Sequence, residues 1–253
     1  MASLTFEQPL NELTRVNLRL EFLFKKIDEN IGKEDYWSLR ATAESIVQIS
    51  HILDRPDIKS KFAKAIQNQL AYLEELSEQP GVDSAKLVNI INTLKELFQV
   101  HNQTGVKLAQ ALRDNHFLNT LRQHLLYPGG EADFELPAYQ YWLQSISGSN
   151  KDRLQELTAS LATVKETVTL LLKLTRSKCK EKSILAEHGF HQEGLDKNDS
   201  IQLIRIQLDK SANIYPIVSA NNHRLNIRFY NALSLEMEEQ SHENINFSLS
   251  CCT

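Results

Sequence analysis

Turn-forming residues are scarce in this chain of 253 residues, which has eight glycines and six prolines, under 6% together. Ordinary usage would supply roughly 12%. A chain so poor in them is not a sandwich or barrel of many short strands from end to end. Cysteine is also rare: Cys179 and the vicinal pair Cys251-Cys252. An odd count without regular spacing reads as a reducing compartment. No apolar run approaches the ~20 residues of a membrane span, the densest stretch being Thr169-Leu170-Leu171-Leu172-Lys173-Leu174. The opening Met1-Ala2-Ser3-Leu4-Thr5-Phe6-Glu7 shows neither a basic leader nor an apolar signal core, so a cytoplasmic location is expected. Neither sign of charge dominates. With 28 Lys+Arg against 32 Asp+Glu the net charge is −4, which argues against a general positive field for nucleic acid and leaves room for a local basic pocket. At 42% hydrophobic and 24% charged residues, the chain is neither disordered nor fibrous and can bury a sizeable core. The expectation is a mostly helical soluble protein of one or two domains.

Leu4 to Pro9 is extended in character. From Asn11, apolar residues at Leu13, Val16, Leu20, Leu23, Phe24 and Ile27 recur by threes and fours and predict a helix. Further helical patterns cover Glu34–Asp54, ending before Pro56, then Asp57–Ser77, and then Ala85–Val100 after a turn and an Asp83 or Ser84 cap. Lys107–Leu126 reads as one or two helices closed by Tyr127-Pro128-Gly129-Gly130, and Ala132–Pro137 alternates like a short strand. A helix around Ala138–Ile146 and a turn at Ser147–Asn150 follow. Leu154, Leu157, Leu161, Val164, Val168 and Leu171 then keep a three-four alternation. This fits a coiled-coil seam between two subunits, or more often the buried stripe of a central helix.

After about Arg176 the period changes to two. Ile201–Leu208 is the clearest strand, with Asn213–Ser219, Arg224–Phe229 and Ile245–Ser250 as others. The fold class is therefore α+β, mainly α: a helical domain over 1–178, with short extended segments near 2–8 and 131–136, and an antiparallel β domain over 179–253.

The chain has no G-x-G-x-x-G, P-loop, H-E-x-x-H or G-x-S-x-G motif. Glu187-His188-Gly189-Phe190-His191-Gln192-Glu193 gathers two histidines and two carboxylates, but in an extended segment His188 and His191 point to opposite faces. A solvated or hydrogen-bonded pair is the expectation there, and no catalytic, metal or cofactor residue is nominated. Arginine placement says more. Arg15 and Arg19 lie one helical turn apart, with Lys26 on the same face beside Phe22. Arg224 and Arg228 project from one face of a strand, roughly 13 Å apart. Such a pair suits carboxylates, because guanidinium groups donate paired, charge-assisted hydrogen bonds.

Several fragments together resemble the ZapD family of bacterial division proteins, which associate with the tubulin-like filament protein FtsZ. They are Phe6-Glu7-Gln8-Pro9-Leu10-Asn11-Glu12 with Arg15 and Leu18-Arg19-Leu20-Glu21-Phe22-Leu23, then Pro80-Gly81-Val82-Asp83. Tyr127-Pro128-Gly129-Gly130, Phe134-Glu135-Leu136-Pro137 and Trp142-Leu143 follow. The C-terminal third adds Gly189-Phe190 with Gln192, Leu203-Ile204-Arg205-Ile206, Tyr215-Pro216, Arg224 with Ile227-Arg228-Phe229, and Cys251-Cys252. The resemblance implies a helical domain joined to a β domain, a symmetric homodimer, and binding to the C-terminal peptide of FtsZ in a pocket between the two parts. It also implies bundling of filaments at the mid-cell division site, with no catalysis, cofactor, nucleic acid or membrane insertion. The family's basic pocket falls on Arg224, Arg228 and Arg55, with Arg19 and Arg15 on the first helix. His116 and Gln140 stand where relatives can carry arginine and histidine, which lowers the positive charge there. The alternative is a basic-pocket protein for another acidic peptide or nucleic acid.

Overall fold

A computed structural model describes residues 3–79, 84–103, 107–145, 149–196, 200–221, 223–232 and 239–253, apart from the side chains of 84–86 and 149. The chain divides into two compact units, one of Val16–Leu171 and one of Met1–Arg15 with Leu172–Thr253.

The first unit is helical. It holds most of α1 (Glu12–Asn30), then α2 (Tyr36–Leu53), α3 (Ile58–Ser77), α4 (Ser84–Asn102), α5 (Gln110–Arg113), α6 (His116–His124), α7 (Pro137–Gln144), α8 (Ser149–Ala159) and the start of α9 (Ala162–Ser177). Asp35 starts α2 by accepting a hydrogen bond from the Ser38 N–H, and Asn115 caps α6 through the Leu118 N–H. Helix α2 is central and packs against α5, α6, α7 and α8. Its face of Leu39, Ala43, Ile46, Val47, Ile49 and Leu53 is buried for that reason. Helices α3 and α4 form an antiparallel hairpin tied by a Lys95–Glu74 ion pair and by the Lys59 ammonium on the Gln103 carbonyl.

Two expectations are corrected here. The run from Leu154 to Leu171 is not one helix but α8 and α9, broken at Ser160-Leu161. Ser160 Oγ donates to the Leu157 carbonyl, the acceptor that Leu161 N–H would take in a continuing helix; Leu161 N–H bonds Thr158 instead. The stripe itself is buried within the chain, Leu154 and Leu161 being at most 1% exposed, so it is the buried-core alternative that holds. Residues 131–136 form turns rather than a strand, because bonds from Ala132 N–H to Gly129 and from Glu135 N–H to Ala132 satisfy the backbone locally. Gly130 permits the tight return before them: a Cβ there would lie 2.1 Å from the His124 carbonyl oxygen. Asp83 and the side chain of Ser84, expected as caps, lie outside the described residues, as do Ser147 and Gly148; Ser149 and Asn150 of the expected turn begin α8 instead.

The second unit is a pair of antiparallel sheets. Strands β1 (Ser3–Pro9), β2 (Cys179–Ala186), β4 (Leu203–Asp209) and β7 (Ile245–Cys252) form one in the order β1-β4-β7-β2. Strands β3 (Phe190–Gly194), β5 (Ile214–Ala220) and β6 (Arg224–Asn231) form the other in the order β3-β6-β5. Alternate residues of both sheets make one core, including Ile204, Ile206, Leu225, Ile227, Phe229 and Leu249. The N-terminal strand thus joins the β unit instead of the helical part in which residues 1–178 were grouped, because Ser3–Pro9 pairs along its length with Leu203–Asp209. Glu7 of β1 locks this arrangement, meeting Arg205 Nε at 2.9 Å and Arg176 Nε and Nη2 at 2.9 and 2.6 Å. Two of the cysteines also pair, which their spacing in the sequence does not suggest. Register sets Cys179 opposite Cys252, and the two form a disulfide across a sequence separation of 73.

Candidate functional site: the outer face of the three-stranded sheet

Strand β6 runs down the middle of its sheet with Leu225, Ile227 and Phe229 in the core, so Arg224, Asn226, Arg228 and Tyr230 face outward. Cross-strand partners share a face in an antiparallel pair, which places the neighbours of each outward residue. Arg228 stands opposite Phe190 on one side and Ile217 on the other. Both are exposed, by 36% and 40%, and the Arg228 guanidinium carbon lies 5.9 Å from the Phe190 ring centre. Arg224 stands opposite Gly194, so no side chain crowds it from β3. At the far end Tyr230 stacks on Tyr215, with ring centres 5.8 Å apart.

Phe190 is held by the tight turn before it. Gly189 has φ +70°, and a Cβ there would fall 1.9 Å from the Ser241 carbonyl oxygen. The Gly189 carbonyl accepts from Phe229 N–H at 2.9 Å, which ties this turn to β6.

Charge pairing separates the arginines into two groups. Arg40, Arg113, Arg122, Arg153, Arg176 and Arg205 each pair with a carboxylate, as do Arg15 with Glu12 at 3.0 Å and Arg55 with Asp57 at 3.2 Å. Among the described residues, no ion pair is formed by Arg19, Arg224 or Arg228, and all three are exposed. A guanidinium with no internal carboxylate keeps its donors for a partner. The face therefore offers two cations along a strand that have no ion pair among the described residues, flanked by an aromatic ring and an aliphatic side chain.

The other sequence-nominated residues are distributed. Arg15 shares the β unit with Arg224 and Arg228, whereas Arg19 and Arg55 belong to the helical unit. Arg19 lies one turn before Phe22, which is 66% exposed, so an arginine beside an exposed ring recurs there. His116 is exposed at the start of α6, and Gln140 accepts a hydrogen bond from the Tyr36 hydroxyl at 2.9 Å. His191 is a hydrogen-bonded histidine, 3.2 Å from Glu193 and edge-on to Phe247, while His188 occupies the preceding turn at φ +52°. Among the described residues no group of three or more His, Cys, Asp and Glu is arranged to hold a metal ion, and no helix is long and apolar enough to cross a membrane. Phe190, Ile217, Tyr215 and Tyr230 were not nominated from sequence as part of the site. Their alternation marks them as one face of each strand, but only the register sets them beside Arg228 and each other.

Comparison with known proteins gives the family. The sequence model of ZapD, described as cell division protein, matches residues 18–228. The chain belongs to the ZapD family. It is similar over 252 residues to cell division protein ZapD of Coxiella burnetii (strain RSA 493 / Nine Mile phase I), at 34% identity, covering 99% of this chain and 98% of the relative. Similarity to cell division protein ZapD of Nitrosomonas eutropha is 29% identity over 248 residues, covering 98% of each chain. For cell division protein ZapD of Yersinia pseudotuberculosis serotype O:1b it is 29% over 252 residues, covering 99% of this chain and 98% of the relative. A role in cell division follows from that membership.

Proposed function

We propose that this ZapD-family chain binds the acidic, apolar C-terminal peptide of FtsZ and, as a homodimer in the cytoplasm at mid-cell, cross-links FtsZ filaments into bundles. The observation that carries the reading is the pair of exposed arginines on β6, Arg224 and Arg228, which have no ion pair among the described residues and are flanked by Phe190 and Ile217. Carboxylates of the peptide bond the guanidinium groups, and an apolar side chain lies against Phe190 or Ile217. Arg19, Arg15 and Arg55 are further basic positions of the reading, Arg15 and Arg55 being held by Glu12 and Asp57. A single such contact is weak, and two copies in a two-fold dimer, acting on a polymer that repeats its tail, supply avidity without further contacts.

Co-sedimentation with GTP-assembled FtsZ, run beside FtsZ lacking its C-terminal peptide, tests the reading. Pelleting of full-length filaments must increase and must be lost with the truncated ones. Equal pelleting of both refutes peptide binding, and pelleting of neither refutes the function.

A further inference from the structure

The helical unit carries a cleft of about 750 Å³ along the α3–α4 hairpin. Its α3 wall is the stripe of Ser60, Ala63 and Gln67, spaced by threes and fours and so on one face, with Pro56 just before the helix. Ser60 and Ala63 are small and leave the middle of that wall low. Phe98 of α4 forms the apolar wall opposite. Lys59, Lys64 and Lys107 line the same cleft, whose lining includes no aspartate or glutamate, in a chain where acids outnumber Lys and Arg by 32 to 28. Lys64 and Lys107 are exposed and form no ion pair among the described residues.

The remaining titratable group of the lining, His101, adds no charge. Its Nε2 lies 2.8 Å from Thr167 Oγ1, and that hydroxyl donates its one proton to the Thr163 carbonyl. Nε2 therefore carries the proton as donor to Thr167, and burial, which lowers the pKa to about 4, keeps the ring neutral. The positive character of the cleft belongs to its lysines.

From Ser60 to Gln67 the α3 wall is about 10 Å long at 1.5 Å per residue, or two helical turns, and Pro56 extends it beyond the start of the helix. Two antiparallel helices with small residues between them offer a groove that a third helix fills by ridge-into-groove packing. An incoming helix with an apolar face toward Ala63 and Phe98 and carboxylates toward Lys64 and Lys107 meets both requirements. We propose that the α3–α4 groove docks an acidic amphipathic peptide as a short helix, a recognition surface distinct from the arginines of β6.

The test is fluorescence anisotropy with a fluorescein-labelled Glu/Leu amphipathic peptide of about three turns. The full chain carries Arg224→Glu and Arg228→Glu, so that the sheet face does not contribute and the outcome is independent of the FtsZ reading. Saturable binding that weakens with salt is expected, with at least a tenfold loss on adding Lys64→Glu and Lys107→Glu, both exposed positions. Ala63→Trp, which fills the groove without changing charge, is expected to cost as much, and a Lys/Leu peptide is expected not to bind. The proposal is overturned if the Glu/Leu peptide does not saturate, or if either variant binds it as tightly as the parent. It is overturned equally if inorganic tripolyphosphate displaces it charge for charge, which marks a simple anion site.

Discussion

Replacing Glu7 by glutamine tests how the N-terminal strand is held in the β unit. The Glu7 carboxylate is 17% exposed and accepts three hydrogen bonds, two from Arg176 of α9 and one from Arg205 of β4. Glutamine keeps the shape and one acceptor oxygen but presents an NH₂ group to a guanidinium. The bonds from Arg176 Nε and Arg205 Nε share one oxygen, which glutamine keeps, and the bond from Arg176 Nη2 is lost; a hydrogen bond to a charged group contributes about 1.5–3 kcal/mol, so the loss is at most about 3 kcal/mol before screening. Both arginines are about a quarter exposed and regain some hydration, which brings the estimate to about 2 kcal/mol. For a chain of this length that is a fall in Tm of about 4–8 °C, read by circular dichroism at pH 7. Burial pushes the Glu7 carboxyl up, but the hydrogen bonds and charges of Arg176 and Arg205 outweigh it and hold its pKa below the ordinary 4.5. A depressed carboxyl stabilises fully above its unfolded pKa and ceases to do so as pH falls through its folded value. The difference between wild type and Glu7→Gln is therefore constant from pH 7 to 5 and closes below 4.5. An unchanged Tm at pH 7, or a deficit that persists undiminished in acid, refutes this account.

Three other outcomes are expected. Arg224→Glu with Arg228→Glu should weaken binding of the FtsZ peptide by more than about 100-fold in anisotropy titrations, since losing one partner of a charged pair already costs about 2–5 kcal/mol. Both side chains are exposed and unpaired among the described residues, so helicity and Tm should stay at wild-type values. Burial, assisted by the charge of Lys59, lowers the His101 pKa from 6.5 to about 4, so the folded state binds fewer protons than the unfolded one between those values. Stability should be full above pH 6.5 and fall by roughly 3 kcal/mol toward pH 4, and His101→Asn should flatten that slope in urea melts taken across the range. Cys252→Ser should lower stability by up to about 4 kcal/mol, the chain-entropy value for a loop of this length, and should abolish the response of the midpoint to dithiothreitol. Three titratable thiols in the unreduced, denatured protein would show that Cys179 and Cys252 are not joined.

Periodicity and punctuation in the sequence are enough to place most elements here. The three-four spacing in α1 to α4, the proline after α2 and the alternation of β4 to β7 are local properties, set by which side chains share a face over a few residues. The Arg224/Arg228 pair was legible for the same reason, since residues four apart on a strand share a face whatever lies beside them. Partners are another matter. That β1 completes a sheet with β4, that Cys179 meets Cys252, and that Phe190 and Ile217 flank Arg228 are register facts between segments distant in sequence, and local spacing contains nothing about register. The alternating residues near 131–136 show the converse: without a strand to pair with, they satisfy their backbone in turns. Composition and spacing alone settled the class of most segments and which residues share their faces. Only tertiary structure decided which faces meet, and therefore which arginines are neutralised inside the chain and which are left for a partner.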